Sequence, residues 1–200
     1  MNNIKIMFGK FQERCREIEN ESIDCIITDP PYDKQSLYLW RYLGVFAERL
    51  LKPSCFCVAY SGWFYLPELI NNVLKSNISW YALFSLYHKG FAKGLNQSNI
   101  QDRCKPILIF QKPPFKPLTN RAENFIISEN REKEYHKWQQ SLSGVKKCVE
   151  IFTKEGDLVL DPMAGSGTTA VACLELGRKC ICIDSDKNVM NVIKGRLNDI

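Results

Sequence analysis

Apolar residues follow two different spacings along this chain, and their alternation predicts a sheet with helices packed on it. Continuous apolar runs rich in β-branched residues, such as residues 22–28, predict buried strands, whereas apolar residues at helical spacing, as in residues 36–52, predict amphipathic helices. Strands that alternate with helices of about 10–15 residues are typical of α/β proteins with mostly parallel strands. The other predicted strands are 55–61, 78–88, 106–112, 157–161 and 179–184, and the other predicted helices are 66–77, 142–156, 166–177 and 185–198.

The composition is that of an ordinary globular domain. The 200 residues are enough to bury one core, and 45% hydrophobic with 24% charged residues is typical of soluble proteins. No apolar run approaches the roughly 20 residues of a membrane span, and the charged N-terminus does not resemble a secretory signal. We therefore expect an intracellular, cytoplasmic protein without a membrane partner.

Nine cysteines are present, an odd number with no C-x-x-C pair. Cys55 with Cys57, and Cys180 with Cys182, alternate within strand-like runs, so we interpret them as small buried hydrophobic side chains and expect no metal site. The formal net charge of +5 weakly favours an anionic partner.

The run "DLVLDPMAGSGTTA", residues 157–170, predicts a strand, a tight turn and a helix. Gly165 and Gly167 allow the backbone to turn and a ligand to approach closely. No lysine follows Gly167, which argues against a nucleotide-triphosphate loop. Asp184 lies 19 positions after Gly165, where an acid could hold the ribose hydroxyls of an adenosyl ligand. Asp161 argues against NAD and suits a ligand with an ammonium group, such as S-adenosylmethionine, although a turn without a ligand stays open.

The run "ITDPPYDKQ", residues 27–35, ends a predicted parallel strand with an acid, two prolines and an aromatic residue. Pro30 and Pro31 stiffen the turn and donate no N–H group. The Asp29 carboxylate and the Pro30 carbonyl could accept the two N–H groups of an exocyclic amine, and Tyr32 offers a face on which a planar base could stack. A proline-rich loop without a function is the simpler alternative.

Together the two motifs resemble those of the S-adenosylmethionine-dependent DNA methyltransferases of bacteria and phages that methylate amino groups. D-P-P-Y is the catalytic motif of that family, and "DPMAGSGTT" resembles its cofactor loop. Asp29 precedes Asp161 by 132 positions, so the catalytic motif comes first, as in the permuted β group. The resemblance implies a Rossmann-like methyltransferase fold: one three-layer, doubly wound α/β domain with a mostly parallel sheet and a small DNA-recognition insertion.

The resemblance also implies roles for individual residues. "HKWQQS", residues 136–141, occupies the place of a further cofactor segment of the family but lacks its prolines and lysine. The expected catalytic residues are Asp29, Pro30, Pro31 and Tyr32. The expected cofactor-binding residues are Asp161, Pro162, Met163, Ala164, Gly165, Ser166, Gly167, Thr168, Thr169, Asp184, Ser185, His136 and Gln139.

The expected reaction is direct methyl transfer to the amine of a base that has been flipped out of double-stranded DNA. The acid of D-P-P-Y favours adenine N6, and cytosine N4 is the alternative. An RNA or protein amine methyltransferase is disfavoured by the motif order, and a scaffold that binds DNA without catalysis is disfavoured by the intact motifs. An oxidoreductase has no use for D-P-P-Y.

DNA contact is expected from residues 86–112, which hold five basic residues against one acid. We expect residues 20–112 to form a catalytic half, 113–135 a short recognition insertion and 136–200 the cofactor half. So small an insertion predicts a short or degenerate target. A homodimer and a cognate restriction endonuclease remain open as partners in a bacterial or phage-infected host. The candidate DNA-binding residues are Lys89, Lys93, Asn96, Arg103 and Lys105.

Overall fold

The structure, a computed structural model, describes residues 3–88, 93–95, 100–128 and 140–198, with residues 88, 93–95 and 100–102 described by their backbone alone. The strands are β1 (Ile4–Phe8), β2 (Ile23–Thr28), β3 (Leu51–Tyr60), β4 (Ser79–His88), β5 (Lys93–Leu95), β6 (Ile100–Asp102), β7 (Cys104–Gln111), β8 (Phe125–Ser128), β9 (Leu158–Asp161) and β10 (Lys179–Asp184). The helices are α1 (Phe11–Arg14), α2 (Leu37–Leu50), α3 (Leu66–Val73), α4 (Leu142–Phe152), α5 (Thr168–Glu175) and α6 (Lys187–Asn198).

Eight strands form one sheet in the order β1-β10-β9-β2-β3-β7-β4-β8. Every neighbouring pair is parallel except the two pairs made by β7, which is antiparallel to both β3 and β4. The short strands β5 and β6 form a separate antiparallel pair. The predicted α/β fold with a mostly parallel sheet is therefore confirmed.

Two hydrophobic cores cover the two faces of the sheet. Cys25 and Ile27 of β2 face a core that includes Val145 of α4, Ala172 of α5 and Ile193 of α6. Residues on the opposite face of the same strand contact α1, α2 and α3. Because both faces of the central strands are buried, their sequences are mostly apolar and show no regular alternation of apolar and polar residues. The result is the three-layer, doubly wound arrangement that the sequence predicts.

Strands at the margins of the sheet depart from the sequence-based expectation. β1 was not predicted, although it pairs with β10, because its lysine interrupts the apolar pattern of a half-exposed edge strand. β8 lies within the predicted recognition insertion, yet it pairs with β4 and forms the opposite edge of the main sheet. At least residues 125–128 of that segment are therefore part of the scaffold.

The parallel strands bring their carboxyl ends to one side of the sheet. β2, β3, β9 and β10 all end there, and β7 begins there because it runs in the opposite direction, with Ile107 opposite Tyr60. Open α/β sheets place their ligand sites at this side. Among the described residues, no helix is both long and apolar enough to cross a membrane.

Candidate active site

A cavity of about 1390 Å³ opens at the carboxyl ends of β2 and β9. Its wall contains the complete D-P-P-Y run and most of the glycine-rich turn, so that Tyr32 and Gly165 line the same space. The two motifs therefore meet at one side of the sheet.

Packing and a hydrogen bond from Trp40 hold the last two residues of the D-P-P-Y turn, Pro31 and Tyr32. Trp40, fully buried on α2, donates from its indole Nε1 to the Pro31 carbonyl at 2.8 Å. The Tyr32 ring rests against Gly62, where an added Cβ would lie 2.6 Å from the ring carbon Cδ2. Glycine at position 62 therefore leaves the room that the Tyr32 ring occupies.

Among the described residues, two side chains in the cavity donate to the Asp29 carboxylate. Lys105 Nζ donates to Oδ1 at 2.8 Å and to Oδ2 at 2.9 Å. Gln140 Nε2 also donates to Oδ2. The Lys105 ammonium group lies 5.3 Å from the ring centroid of Tyr32 and 5.5 Å from that of Tyr60, within cation–π range of both rings.

This position corrects the prediction that Lys105 lies on a polar loop. Lys105 lies on β7, its side chain is only 13% exposed, and its ammonium group is paired with Asp29. The sequence does not reveal its contact with Asp29, because that contact depends on the antiparallel direction of β7. This direction places the first residues of β7, and not its last, beside the ends of β2 and β3. Gln140 was also missed, and no sequence signal separated it from its neighbour Gln139.

The other predicted DNA-binding residues are only partly described. Arg103 is exposed, and its Nη1 lies 3.5 Å from the Tyr87 hydroxyl. Lys89 and Asn96, and the side chain of Lys93, lie outside the described residues.

The glycine-rich turn has the backbone shape that the sequence predicts. Gly165 has φ +49°, and an ideal Cβ there would meet no other heavy atom within 4 Å, so the backbone faces open space in which a ligand could approach. Gly167, the residue before α5, has φ +78°, and a Cβ there would lie 2.8 Å from Ile193. Both glycines adopt left-handed conformations that other residues rarely take. From α6, buried Arg196 donates to the Ser166 carbonyl at 2.7 Å and so ties the turn to that helix.

Asp184 lies beside this turn at the end of β10. Its Oδ2 accepts from the Gly165 amide at 2.9 Å, and its Oδ1 accepts from the Asp186 amide at the same distance. Each carboxylate oxygen has a second lone pair that a hydroxyl group of a ligand could use. Asp184 and Ser185 both line the cavity.

Asp161 is almost fully buried at the end of β9. Burial raises the pKa of its carboxyl group from 3.8 to about 6, although hydrogen bonds from Thr169 and the Met163 amide act in the opposite direction. A buried carboxylate beside a ligand cavity suits a cationic group of the ligand, because such a group would compensate for the lost hydration.

The remaining predicted cofactor residues divide into three groups. Gly167 is packed against Ile193 and shapes the turn from behind. His136 and Gln139 lie outside the described residues. The predicted residues that also line the cavity are Pro162, Met163, Ala164, Ser166, Thr168 and Thr169.

Comparison with known proteins identifies the family. The family model described as DNA methylase matches residues 23–195, so the chain belongs to this family. The type II methyltransferase M.HpaI of Haemophilus parainfluenzae is 26% identical over 92% of this chain and 70% of that protein. The putative methylase YubD of Escherichia coli is 30% identical over 82% of this chain and 76% of that protein.

Solved structures agree with this assignment. The crystal structure of the M1.HpyAVI–SAM complex has a TM-score of 0.82 and 25% identity, covering 96% of this chain and 99% of that one. The cytosine-N4-specific PvuII DNA methyltransferase shares the fold, with a TM-score of 0.84 at 17% identity over 99% of this chain and 88% of that one. The predicted family of DNA amino-methyltransferases and its cofactor, S-adenosylmethionine, are thereby confirmed.

Replacing Gly62 by alanine should displace the Tyr32 ring into the cavity. We expect single-turnover methyl transfer to DNA to fall by about 10- to 100-fold, because small misplacements of a positioning group are costly, while cofactor affinity stays unchanged. Gly195→Ala is the control, since an added Cβ there meets nothing within 4 Å. Equal activity of both variants would show that the Tyr32 position does not matter.

Asp161→Asn should stabilise the cofactor-free protein at neutral pH. Because the pKa of Asp161 is raised from 3.8 to about 6 in the folded state, its ionised form costs stability, and this cost appears as the pH rises from about 4 to about 6. Between these values the free energy of unfolding of the unmodified protein should fall relative to that of the variant by roughly 3 kcal/mol. Urea unfolding of both proteins from pH 4 to pH 7 tests this, and parallel pH profiles would contradict it.

Proposed function

We propose that this DNA methylase methylates the N6 amine of an adenine that has been flipped out of double-stranded DNA. The observation that supports this is the shared cavity of about 1390 Å³, in which a D-P-P-Y turn faces a glycine-rich turn. A base paired inside a duplex could not bring its amine into such a cavity, so the base must leave the stack.

Residues around the glycine-rich turn would hold the cofactor. Gly165 leaves space for the ligand to contact the backbone, Asp184 would accept hydrogen bonds from the ribose hydroxyls, and Asp161 would face the ammonium group. When bound, S-adenosylmethionine would supply an electrophilic methyl group to the amine, with the sulfur keeping the electron pair of the broken C–S bond and the amine giving one proton to solvent.

The D-P-P-Y turn would orient the base. Asp29 and the Pro30 carbonyl would accept the two N–H groups of the amine, which directs the nitrogen lone pair towards the methyl group. Trp40 keeps the Pro31 carbonyl engaged and so fixes the turn. Stacking on Tyr32 would contribute about 1–3 kcal/mol. The negative charge of Asp29 would stabilise the positive charge that develops on the amine.

Cytosine N4 is the second candidate acceptor. It presents the same amine to the same two acceptors, and the fold is shared with a cytosine-N4-specific enzyme. The acid at position 29 is the feature that favours adenine. Methylation of an RNA amine is a weaker alternative that a parallel assay on RNA would reveal.

Exposed aromatic side chains at the mouth of the cavity support an approach of DNA from this side. Tyr38 and Tyr42 on α2 are 57% and 42% exposed, and Phe64 after β3 is 64% exposed. All three line the cavity. Exposed apolar groups of this kind mark interaction sites, and aromatic rings can stack on bases without regard to sequence. Arg103 remains a candidate for phosphate contact.

The division of labour along the chain is also a proposal. Residues 20–112 would form the catalytic half and 136–200 the cofactor half, with recognition assigned to those parts of 113–135 that lie outside β8. So short a segment supports a short or degenerate target. A cognate restriction endonuclease and a bacterial cytoplasmic location accord with relatives that are bacterial type II methyltransferases, and a homodimer stays a prediction.

Asp29→Ala tests the reaction directly. Incubation of duplex DNA with methyl-labelled cofactor, followed by nucleoside analysis, should yield N6-methyladenine with the unmodified protein. We expect the variant to lose at least about 100-fold in rate, since it removes both an amine acceptor and its charge. Labelled N4-methylcytosine would establish the second candidate, and near-normal transfer by the variant would overturn the role of Asp29.

Phe64→Ala tests the proposed DNA side of the cavity. Loss of one stacking group should weaken DNA binding by about 5- to 50-fold, with cofactor binding unchanged. Val45→Ala is the control, because Val45 is 42% exposed on α2 but does not line the cavity. Fluorescence anisotropy with labelled duplex measures both. Equal affinities would place the DNA elsewhere.

A further inference from the structure

A positive charge lies directly beside the proposed amine acceptor on the cavity wall. The Lys105 ammonium group contacts both oxygens of Asp29, and the side chains of Lys105 and Asp29 are 13% and 23% exposed. The proposed mechanism makes use of Asp29 and assigns nothing to Lys105.

The surroundings of Lys105 hold it inside the cavity. Its backbone is opposite Leu86 in the pairing of β4 with β7, and the carbonyl of the next residue, Pro106, accepts from the Ser61 amide at 2.9 Å. The rings of Tyr32 and Tyr60 lie within cation–π distance of its ammonium group. Lys105 is therefore part of the wall that an entering base would meet.

Asp29 and Lys105 together present a hydrogen-bond acceptor next to a donor. Adenine and cytosine carry the complementary pattern on their pairing edges: an exocyclic amine that donates, followed by an unprotonated ring nitrogen that accepts. Guanine and thymine carry the reverse pattern, a carbonyl oxygen followed by a ring N–H group. Guanine or thymine would place its carbonyl oxygen against the Asp29 carboxylate and its ring N–H group against the Lys105 ammonium group. Two acceptors and two donors would then face each other, which is costly in a partly buried site.

We propose that Lys105 donates a hydrogen bond to the ring nitrogen beside the target amine, N1 of adenine or N3 of cytosine, and thereby selects bases that carry an amine. This rests on the proposed function, since it requires a flipped base with its amine on Asp29. An ammonium group has three N–H donors, so Lys105 can serve the ring nitrogen while it keeps its contact with Asp29. The adjacent carboxylate also offsets the repulsion between the ammonium group and the charge that develops on the amine.

Removal of the ring nitrogen tests the proposal. Once the target site is known, duplexes are prepared with adenine or 1-deazaadenine at the target position, or with cytosine or 3-deazacytosine. Single-turnover transfer is then measured with the unmodified protein and with Lys105→Met, which keeps an unbranched side chain between the two rings. Because deaza bases also differ in amine reactivity, the informative quantity is the ratio of the two losses.

We expect the unmodified protein to lose about 10- to 100-fold in kcat/KM on the deaza base, as is typical when a hydrogen bond from a charged group is removed. Lys105→Met should be slower on the natural base and should lose no more than about 3-fold further on the deaza base, because the contact is already absent. Equal losses in both proteins would overturn the proposal and leave Lys105 as a partner of Asp29 alone.

Lys112→Met is the matched control. Lys112 directly follows β7 at its other end, has a side chain that is also 13% exposed, and pairs with Glu21 away from the cavity. This variant should keep the full sensitivity to the deaza base, and thermal unfolding with cofactor titration establishes that each variant is folded.

Binding provides a second readout if Lys105→Met transfers too slowly for comparison. Affinities for the natural and deaza duplexes, measured with a non-reactive cofactor analogue, should differ by about 10-fold for the unmodified protein and be nearly equal for the variant. The two hypotheses fail in different ways. If the unmodified protein methylates no base, the proposed function fails, whereas methylation that is indifferent to the ring nitrogen overturns the role of Lys105 alone.

Discussion

Direct pairing of β2 with β9 is the contact on which the site depends. Cys25 lies opposite Val159 and Ile26 opposite Leu160, in parallel register, at the centre of the sheet. Because parallel neighbours end on the same side, the turn after Thr28 and the turn after Asp161 are brought together although 132 residues separate Asp29 from Asp161. The D-P-P-Y turn and the glycine-rich turn, which are far apart in the chain, line one cavity because of this pairing.

Neighbouring side chains then fix the two turns that the paired strands bring together. Trp40 and Gly62 hold the D-P-P-Y turn, one through a hydrogen bond and the other through the room that it leaves for a ring. Arg196 and Ile193 hold the glycine-rich turn from the side of α6. Between the two turns, the buried charge of Asp161 destabilises the free protein. A cationic group of a ligand would compensate for this cost. The free protein is therefore less stable because of a group that binding of a charged ligand would use.

The sequence predicts the structure best where a single local pattern decides it. The central strands, the main helices and both motif turns were predicted within a few residues of their observed bounds, since buried strands are mostly apolar and the turns require Pro or Gly. Edge strands were predicted poorly. β1 and β8 have weak patterns of apolar and polar residues. They form strands because β10 and β4 have backbone groups with which they can pair.

The sequence by itself determined the α/β class, the family and the two motifs that would carry methyl transfer, because these reside in short runs whose chemistry can be recognised locally. Only the tertiary structure decided which side chains accompany the motifs in the cavity. Lys105 and Gln140 reach Asp29 from 76 and 111 residues away. Whether they do so depends on the direction of β7 and on where the chain re-enters the sheet, and strand direction is set by long-range pairing that no local pattern of hydrophobic and polar residues encodes.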